Sequence, residues 1–236
     1  MDMNFDQPWK IAALIGLLAF FRLAWGCWKE APRRKAGIEV LDSALLAVIL
    51  VFVIIRPFVV QAFSIPTGSM EPTIVPGDRL LVNRFIYRLN PPQRGDIIVF
   101  DAPPYALLGR EGAQKDFIKR LVGLPDDTIV IRRDKGVYVN GELLHDAPGV
   151  PRPGYDWPSD EWGRATRKSY RVPRGYYFVL GDNRNESHDS HAWRDYETGQ
   201  PHPELAKERV LGKAMVRFWP PTRLGLLGDR TQVHAP

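Results

Sequence analysis

Two apolar stretches near the N-terminus, 11–28 and 41–63, constrain this chain more than any other feature, because each approaches the length at which a helix crosses a bilayer. Arg22 interrupts the first, and Asp42 and Arg56 interrupt the second. Between them, Lys29, Arg33, Arg34 and Lys35 outnumber the acid Glu30, whereas 1–8 carries Asp2 and Asp6 and no basic side chain. Basic flanks stay on the cytoplasmic side. The charge pattern therefore predicts a first span with its N-terminus outside, a cytoplasmic loop at 29–39, and everything after Phe63 on the outer face. The first stretch is also readable as an interfacial helix, because 11–21 falls short of the roughly 17 residues a span needs. A cleaved secretory leader fits less well, since no basic end precedes the first run and no small-residue site is clear after it.

From Leu80 onward the pattern changes to short apolar runs divided by Pro and Gly: 80–82, 97–100, 117–122, 128–131, 176–180 and 210–218. These read as strands. Val137-Tyr138-Val139 and Glu142-Leu143-Leu144 flank Asn140-Gly141, the strongest short hairpin signal in the chain. Helical periodicity is sparse here, so the expected fold class is mainly β, a soluble domain of antiparallel sheets preceded by transmembrane helices. The expected organisation is an anchor at 1–63, a β-rich domain at 64–220 and a C-terminal tail at 221–236. Within the β-rich domain, four prolines with Trp157 and Trp162 mark a long loop or small subdomain near 146–170.

The chain has 236 residues, a formal net charge of +5 and a single cysteine, Cys27. Its length suffices for one domain with a real core plus an anchor. A single cysteine excludes an intrachain disulfide and any Cys-based zinc site. The basic residues are scattered without an aromatic-basic recognition motif, so no nucleic-acid partner is expected and an anionic lipid surface is.

Ser64-Ile65-Pro66-Thr67-Gly68-Ser69-Met70-Glu71-Pro72-Thr73 follows the second apolar stretch directly. Pro66 and Pro72 forbid a regular helix, which leaves Ser69 in a stiff turn at a bilayer surface and makes it a candidate nucleophile. A Gly-Ser turn beside proline is also simply a turn. Lys119 lies within the apolar run Phe117-Ile118-Lys119-Arg120-Leu121-Val122, on the face opposite Ile118 and Arg120. Either it points to solvent, or burial disfavours its ammonium form and leaves an amine able to take a proton from a serine hydroxyl. A Ser-Lys pair needs no histidine, and none of the five histidines sits in an obvious triad. The polar loop 181–191, Gly-Asp-Asn-Arg-Asn-Glu-Ser-His-Asp-Ser-His, can satisfy its own backbone or hold a lysine amine in place. His188, Asp189 and His191 stand too close together, without a further ligand, to favour a metal, and none is expected.

Together these segments resemble the type I signal peptidases, membrane-anchored serine proteases that remove signal peptides from exported proteins. The resemblance runs from about Val40 to Phe218. It rests on four blocks in the family's order: 65–73, Gly95-Asp96-Ile97-Ile98-Val99-Phe100, 117–127 and 181–190. It implies a Ser-Lys protease architecture with Ser69 as nucleophile and Lys119 as general base. Thr67 and the Ser69 N–H would form the oxyanion hole, and Ser187 would hydrogen-bond the lysine amine, with Asp189, Asp182 and Arg184 in support. Ile65, Pro66, Met70, Ile74, Phe117 and Ile118 would line shallow pockets that favour Ala-x-Ala ends. No cofactor is implied. The implied partners are signal peptides of exported precursors and the lipid bilayer, close to the export machinery. The implied location is the bacterial inner membrane, with the catalytic domain on the outer, periplasmic face.

The chain departs from the family pattern at Asp126, where Gly is usual, at Asn185-Glu186 in place of Asp-Asn, and at His191 in place of an Arg that pairs with the loop aspartate. These leave the Ser-Lys pair untouched and bear on the turn and on the charges behind the site. Three other readings stay open: a relative dedicated to one substrate set, such as a conjugative-pilus processing peptidase; a catalytically dead peptide-binding β domain; and a self-cleaving repressor-type protease. The apolar stretches and the lack of a DNA-reading helix count against the last.

Overall fold

The computed structural model describes residues 16–17, 19–23, 34–50, 60–107, 116–159 and 169–227. The chain divides into two compact units, 1–61 and 62–236. In the first, helix α1 (Arg34–Ile49) begins inside the stretch expected as a basic loop, so residues 34–39 form its first turns. Ser43 Oγ donates to the Glu39 carbonyl at 2.8 Å, one turn back. Arg22 and Asp42, two of the three charges that interrupt the apolar stretches, form an ion pair. Among the described residues no helix is long and apolar enough to cross a membrane. Large parts of both expected spans, 11–15, 24–28 and 51–59, lie outside the described residues.

The second apolar stretch does not end as helix. Its last residues open strand β1 (Val60–Ser64), in which extended alternation carries Phe63 toward the core cluster that contains Ile65. The chain then gives β2 (Arg79–Asn83), a short helix α2 (Ile86–Leu89), β3 (Ile97–Asp101), β4 (Asp116–Gly123), β5 (Thr128–Arg132), β6 (Gly136–Val139) and β7 (Glu142–Leu143). There follow β8 (Tyr170–Arg171), β9 (Tyr176–Leu180), β10 (Leu205–Ala206), β11 (Val210–Trp219) and β12 (Gly225–Leu226). One sheet runs β1-β2-β11-β3-β4-β9-β10, with β12 also paired to β11, and a smaller one runs β7-β6-β5-β8. Their registered pairs are antiparallel. The segment expected as a tail thus starts inside the sheet, with Leu226 opposite Val216.

β3 shows why a continuous apolar run suits the middle of a sheet. Ile97 and Val99 enter one cluster with Ile65, Met70, Ile74 and Ile118, while Ile98 and Phe100 enter another with Leu121, Val179 and Trp193. Both faces of β3 are covered. The small sheet packs Ile129, Ile131, Val137 and Val139 against Phe178 and Leu180 of β9 and against Trp157.

Asn140 and Gly141 adopt φ of 55° and 89°, the left-handed pair a two-residue hairpin turn requires. Asp126, standing where the resemblance leads to Gly, keeps the left-handed backbone with φ 72°. The turn survives: Asp127 N–H donates to the Leu124 carbonyl at 3.1 Å. Asp126 offsets the cost of that conformation by accepting from Arg171 at 2.9 Å and Arg174 at 3.2 Å.

Candidate active site

Three segments converge because of pairing rather than sequence proximity. β4 lies between β3 and β9, with Lys119 opposite Ile98 and Arg120 opposite Leu180. The chain leaves β9 at Leu180, so the loop 181–191 starts beside the strand that carries Lys119. The turn 65–74 reaches the same place from β1, held by Glu71 N–H to the Gly68 carbonyl at 3.1 Å and Ile74 N–H to the Met70 carbonyl at 3.0 Å.

Lys119 is buried, with only 4% of its surface exposed, and its Nζ donates to Ser69 Oγ at 2.7 Å and to the Ile118 carbonyl at 3.1 Å. Of the two readings the sequence left open, solvent or burial, the structure shows burial. Desolvation is the largest influence on the amine and outweighs the pull of Asp189 and Asp182, lowering its pKa from 10.5 to about 8. About a tenth is then the free amine at pH 7, rising to about half near pH 8, hydrogen-bonded to a hydroxyl whose proton it can accept. Thr67 Oγ1 lies 3.5 Å from Ser69 Oγ, on the same turn.

The loop 181–191 grips the nucleophile turn from behind. Asn183 N–H donates to the Ser69 carbonyl at 3.1 Å and its side-chain amide to the Gly68 carbonyl at 3.2 Å. Gly181 is tighter still. A Cβ there would lie 2.3 Å from the Ser69 carbonyl oxygen and 2.1 Å from Ser187 Oγ, so the loop approaches this closely only as glycine. Asp182, fully buried, accepts from Arg120 Nε at 2.7 Å, from Arg120 Nη2 at 2.5 Å and from Thr73 Oγ1 at 2.6 Å. Burial opposes its ionisation, but Arg120, Arg184 and Thr73 prevail and hold its pKa below the usual carboxylate range. Arg120 also donates to the Gly95 carbonyl at 2.8 Å, which joins the second sequence block to the loop.

Asp189, buried as well, accepts from the Gly181 N–H at 2.7 Å and meets His191 Nδ1 at 2.6 Å. His191 therefore occupies the place in which the family pattern has an Arg partner for this aspartate. Burial again works against the charge, and His191, the Gly181 N–H and Ser187 together keep the carboxyl pKa lowered. Arg184 pairs with Asp146 and donates to the Gly181 carbonyl at 3.3 Å. Ser187 is buried in the loop against Gly181, but the hydrogen bonds of Lys119 Nζ go to Ser69 and Ile118, not to Ser187 as the resemblance implied.

In front of Ser69 and Lys119 lies a cleft of about 400 Å³. Ile65, Pro66, Phe117 and Ile118 of the expected set line it, together with Phe63, Thr67 and Val99. Met70 and Ile74 do not; both are fully buried beneath it in the core cluster with Ile65. Their apolar character made them look like pocket residues, and only packing shows that they support the floor. Glu71, Asp116, Glu186 and His188 add charged or titratable groups to the lining. Sequence reasoning missed Arg120, Thr73, Asn183 and Gly181. Arg120 alternates to the face opposite Lys119, which could have marked it as buried inside an apolar strand. Among the described residues no group of His, Cys, Asp or Glu is disposed to hold a metal ion.

A nucleophilic hydroxyl bonded to a buried lysine amine, beside a shallow apolar cleft, can perform acyl transfer on an extended peptide. Comparison with known proteins gives the family. Residues 38–219 match the family model described as signal peptidase, peptidase S26. The chain is 40% identical to a probable signal peptidase I-2 of Synechocystis sp. over 88% of its length and 84% of that protein's. It is 31% identical to a signal peptidase I of Pseudomonas aeruginosa over 99% of both chains. It is also 32% identical to the chloroplastic thylakoidal processing peptidase 1 of Arabidopsis thaliana, over 77% of this chain and 48% of that one.

Proposed function

Because the chain belongs to the signal peptidase family, peptidase S26, we propose that it is a membrane-bound endopeptidase that removes signal peptides from exported precursors after a small-x-small site. The observation that carries the mechanism is the 2.7 Å hydrogen bond between the buried Lys119 amine and Ser69 Oγ.

In this reading the neutral Lys119 amine takes the Ser69 proton as Oγ attacks the carbonyl of the residue before the cut. The resulting ammonium returns that proton to the departing amine, leaving an acyl-enzyme. Water, deprotonated by the same amine, then attacks the ester, and Ser69 regains its hydrogen. Thr67 Oγ1 and the Ser69 N–H would stabilise the oxyanion, at about 3 kcal/mol per donor. The substrate would lie as an added strand between 65–67 and 117–119, its small side chains entering the cleft over Ile65, Val99 and Ile118. The Arg120–Asp182 pair, through Thr73 Oγ1, and the Asn183 N–H brace the turn that carries these donors.

The basic residues between the apolar stretches support a location in the bacterial inner membrane with the β unit on the outer face, near the export machinery. Sharing an interface with a membrane-held signal peptide would raise the effective concentration of substrate. The test is incubation of full-length protein, and of Ser69→Ala, with a precursor bearing an Ala-x-Ala site, followed by mass spectrometry of the products. A cut after the second Ala by the parent alone is expected; no cut, or a cut by both proteins, would overturn the assignment.

A further inference from the structure

The Pro-rich segment 146–159 touches the loop behind the nucleophile at Arg184, Asn185 and His191, and the last two are positions where this chain departs from the family pattern. Asp146 pairs with Arg184. Asn185 donates to the Arg152 carbonyl at 3.1 Å and accepts from the Gly154 N–H at 2.6 Å. The Tyr155 ring stacks on the His191 imidazole, with centroids 4.3 Å apart and planes inclined by 15°. His191 Nδ1 meets Asp189 Oδ1 at 2.6 Å, and Asp189 Oδ2 takes the Gly181 N–H at 2.7 Å. Gly181 in turn lies against the Ser69 carbonyl, with no room between them for a Cβ.

We propose that Tyr155 and His191 are positioning residues for the Ser69–Lys119 pair: the Pro-rich segment clamps the His191 ring onto Asp189, and Asp189 sets both the backbone behind Ser69 and the field at the Lys119 amine. This rests on the Ser-Lys reading above and extends it to an element outside the cleft. The stacked ring is what matters, because the Tyr155 hydroxyl is buried and has no hydrogen-bond partner among the described residues. A buried hydroxyl without a partner is a cost to folding, whereas a stacked pair favours one orientation of the imidazole. The imidazole in turn directs Nδ1 at the carboxylate.

The charged and titratable groups around this relay give the sign. Asp189 and Asp182 favour the Lys119 ammonium, and Asp189 itself is restrained by His191. Lys119 and His188 also act on one another, as do Tyr155 and Asp189, while Arg184 and Asp146 flank Tyr155. Releasing the His191 ring leaves Asp189 held by the backbone N–H groups of Gly181 and residue 191, with more of its charge facing Lys119. The lysine midpoint then rises.

The experiment follows Lys119 directly, by NMR titration of labelled lysine side chains in the full-length Ser69→Ala protein, and follows kcat/KM against pH in proteins that retain Ser69. Tyr155→Ala and His191→Ala are expected to raise the Lys119 midpoint by about half a pH unit, with KM little changed. That shift corresponds to roughly threefold more loss of kcat/KM at neutral pH than on the alkaline plateau. Tyr155→Phe, which keeps the ring, retains the parent midpoint, and His191→Arg, which places a guanidinium against Asp189, moves it back from the Ala value. A midpoint does not depend on how much protein is folded, so reduced yield does not obscure the result. Parent-like midpoints in both Ala variants would overturn the proposal and reduce the segment to scaffolding. Should the parent cleave no precursor while the NMR midpoint still moves, the peptidase reading fails and the relay stands.

Discussion

Replacing Lys119 by Met should make the protein more stable at neutral pH while abolishing cleavage. Burial lowers the lysine pKa from 10.5 to about 8, and a tenfold change in a protonation equilibrium is about 1.4 kcal/mol, so holding the ammonium inside the fold costs roughly 3 kcal/mol. Methionine matches the side chain in length and removes that cost. It also removes the N–H bonds to Ser69 Oγ and the Ile118 carbonyl, which returns roughly 1 kcal/mol. A net gain of about 2 kcal/mol is expected near neutral pH. The pH dependence identifies its source. Below the folded-state midpoint the lysine is protonated in both folded and unfolded chains, and the full penalty is present. Between about 8 and 10.5 the unfolded chain binds the additional proton, so the stability of the parent rises with pH through that window and the gap to the Met variant closes. Urea unfolding can be followed by the fluorescence of Trp193 and Trp157, both buried in the β unit. The variant midpoint should lie roughly 1 M above the parent at neutral pH, with the difference lost and slightly reversed at strongly alkaline pH. A Met variant no more stable than the parent at neutral pH, or a gap that persists unchanged into alkali, would refute the claim that Lys119 is a strained, desolvated base.

The remaining predictions concern the machinery behind and beside the pair. Gly181→Ala would drive a methyl into the Ser69 carbonyl and Ser187; cleavage should fall at least a hundredfold with little change in KM, and a variant near parental kcat would show that the loop need not approach so closely. Asp182→Ala leaves Arg120 buried without its bidentate partner and should destabilise the β unit by about 3 to 5 kcal/mol in urea unfolding, whereas the double change Arg120→Met with Asp182→Leu should recover much of that loss. Thr67→Val keeps the shape of the turn and removes one donor beside Ser69; kcat should drop by roughly a hundredfold, and an unchanged kcat would remove Thr67 from the oxyanion site. In the parent, kcat/KM should climb as the pH passes about 8, where Lys119 loses its proton; a profile flat across that range would exclude Lys119 as the base.

Much of the β unit is legible in the sequence because its physics is local. Strand runs such as 97–101 and 176–180 announce themselves by β-branched and aromatic residues between Pro and Gly, and Asn140-Gly141 specifies its own hairpin because both residues tolerate positive φ. The two-residue strands β8 and β10 carry no such signal, since a pair of residues has no period. Ser69 and Lys119 were readable as candidates through the resemblance, and the stiff turn around Ser69 through Pro66 and Pro72. The fate of the last apolar residues before that turn was not: hydropathy alone treats Val60 to Phe63 as more of the same run, and only pairing beside β2 makes them a strand.

Periodicities, turns and the residue types from which a Ser-Lys site can be built are therefore local properties, readable along the chain. Whether Lys119 meets water or the interior, whether Met70 and Ile74 line the cleft or lie beneath it, and which groups stand behind the nucleophile were decided by tertiary structure. The reason is that burial and long-range charge depend on which strands pair. β9 lying against β4 brings Asp182 to Arg120 and Gly181 to Ser69, across sequence separations over which no local rule operates. The same pairing removes Lys119 from solvent, and desolvation, not any motif, turns an ordinary lysine into a base.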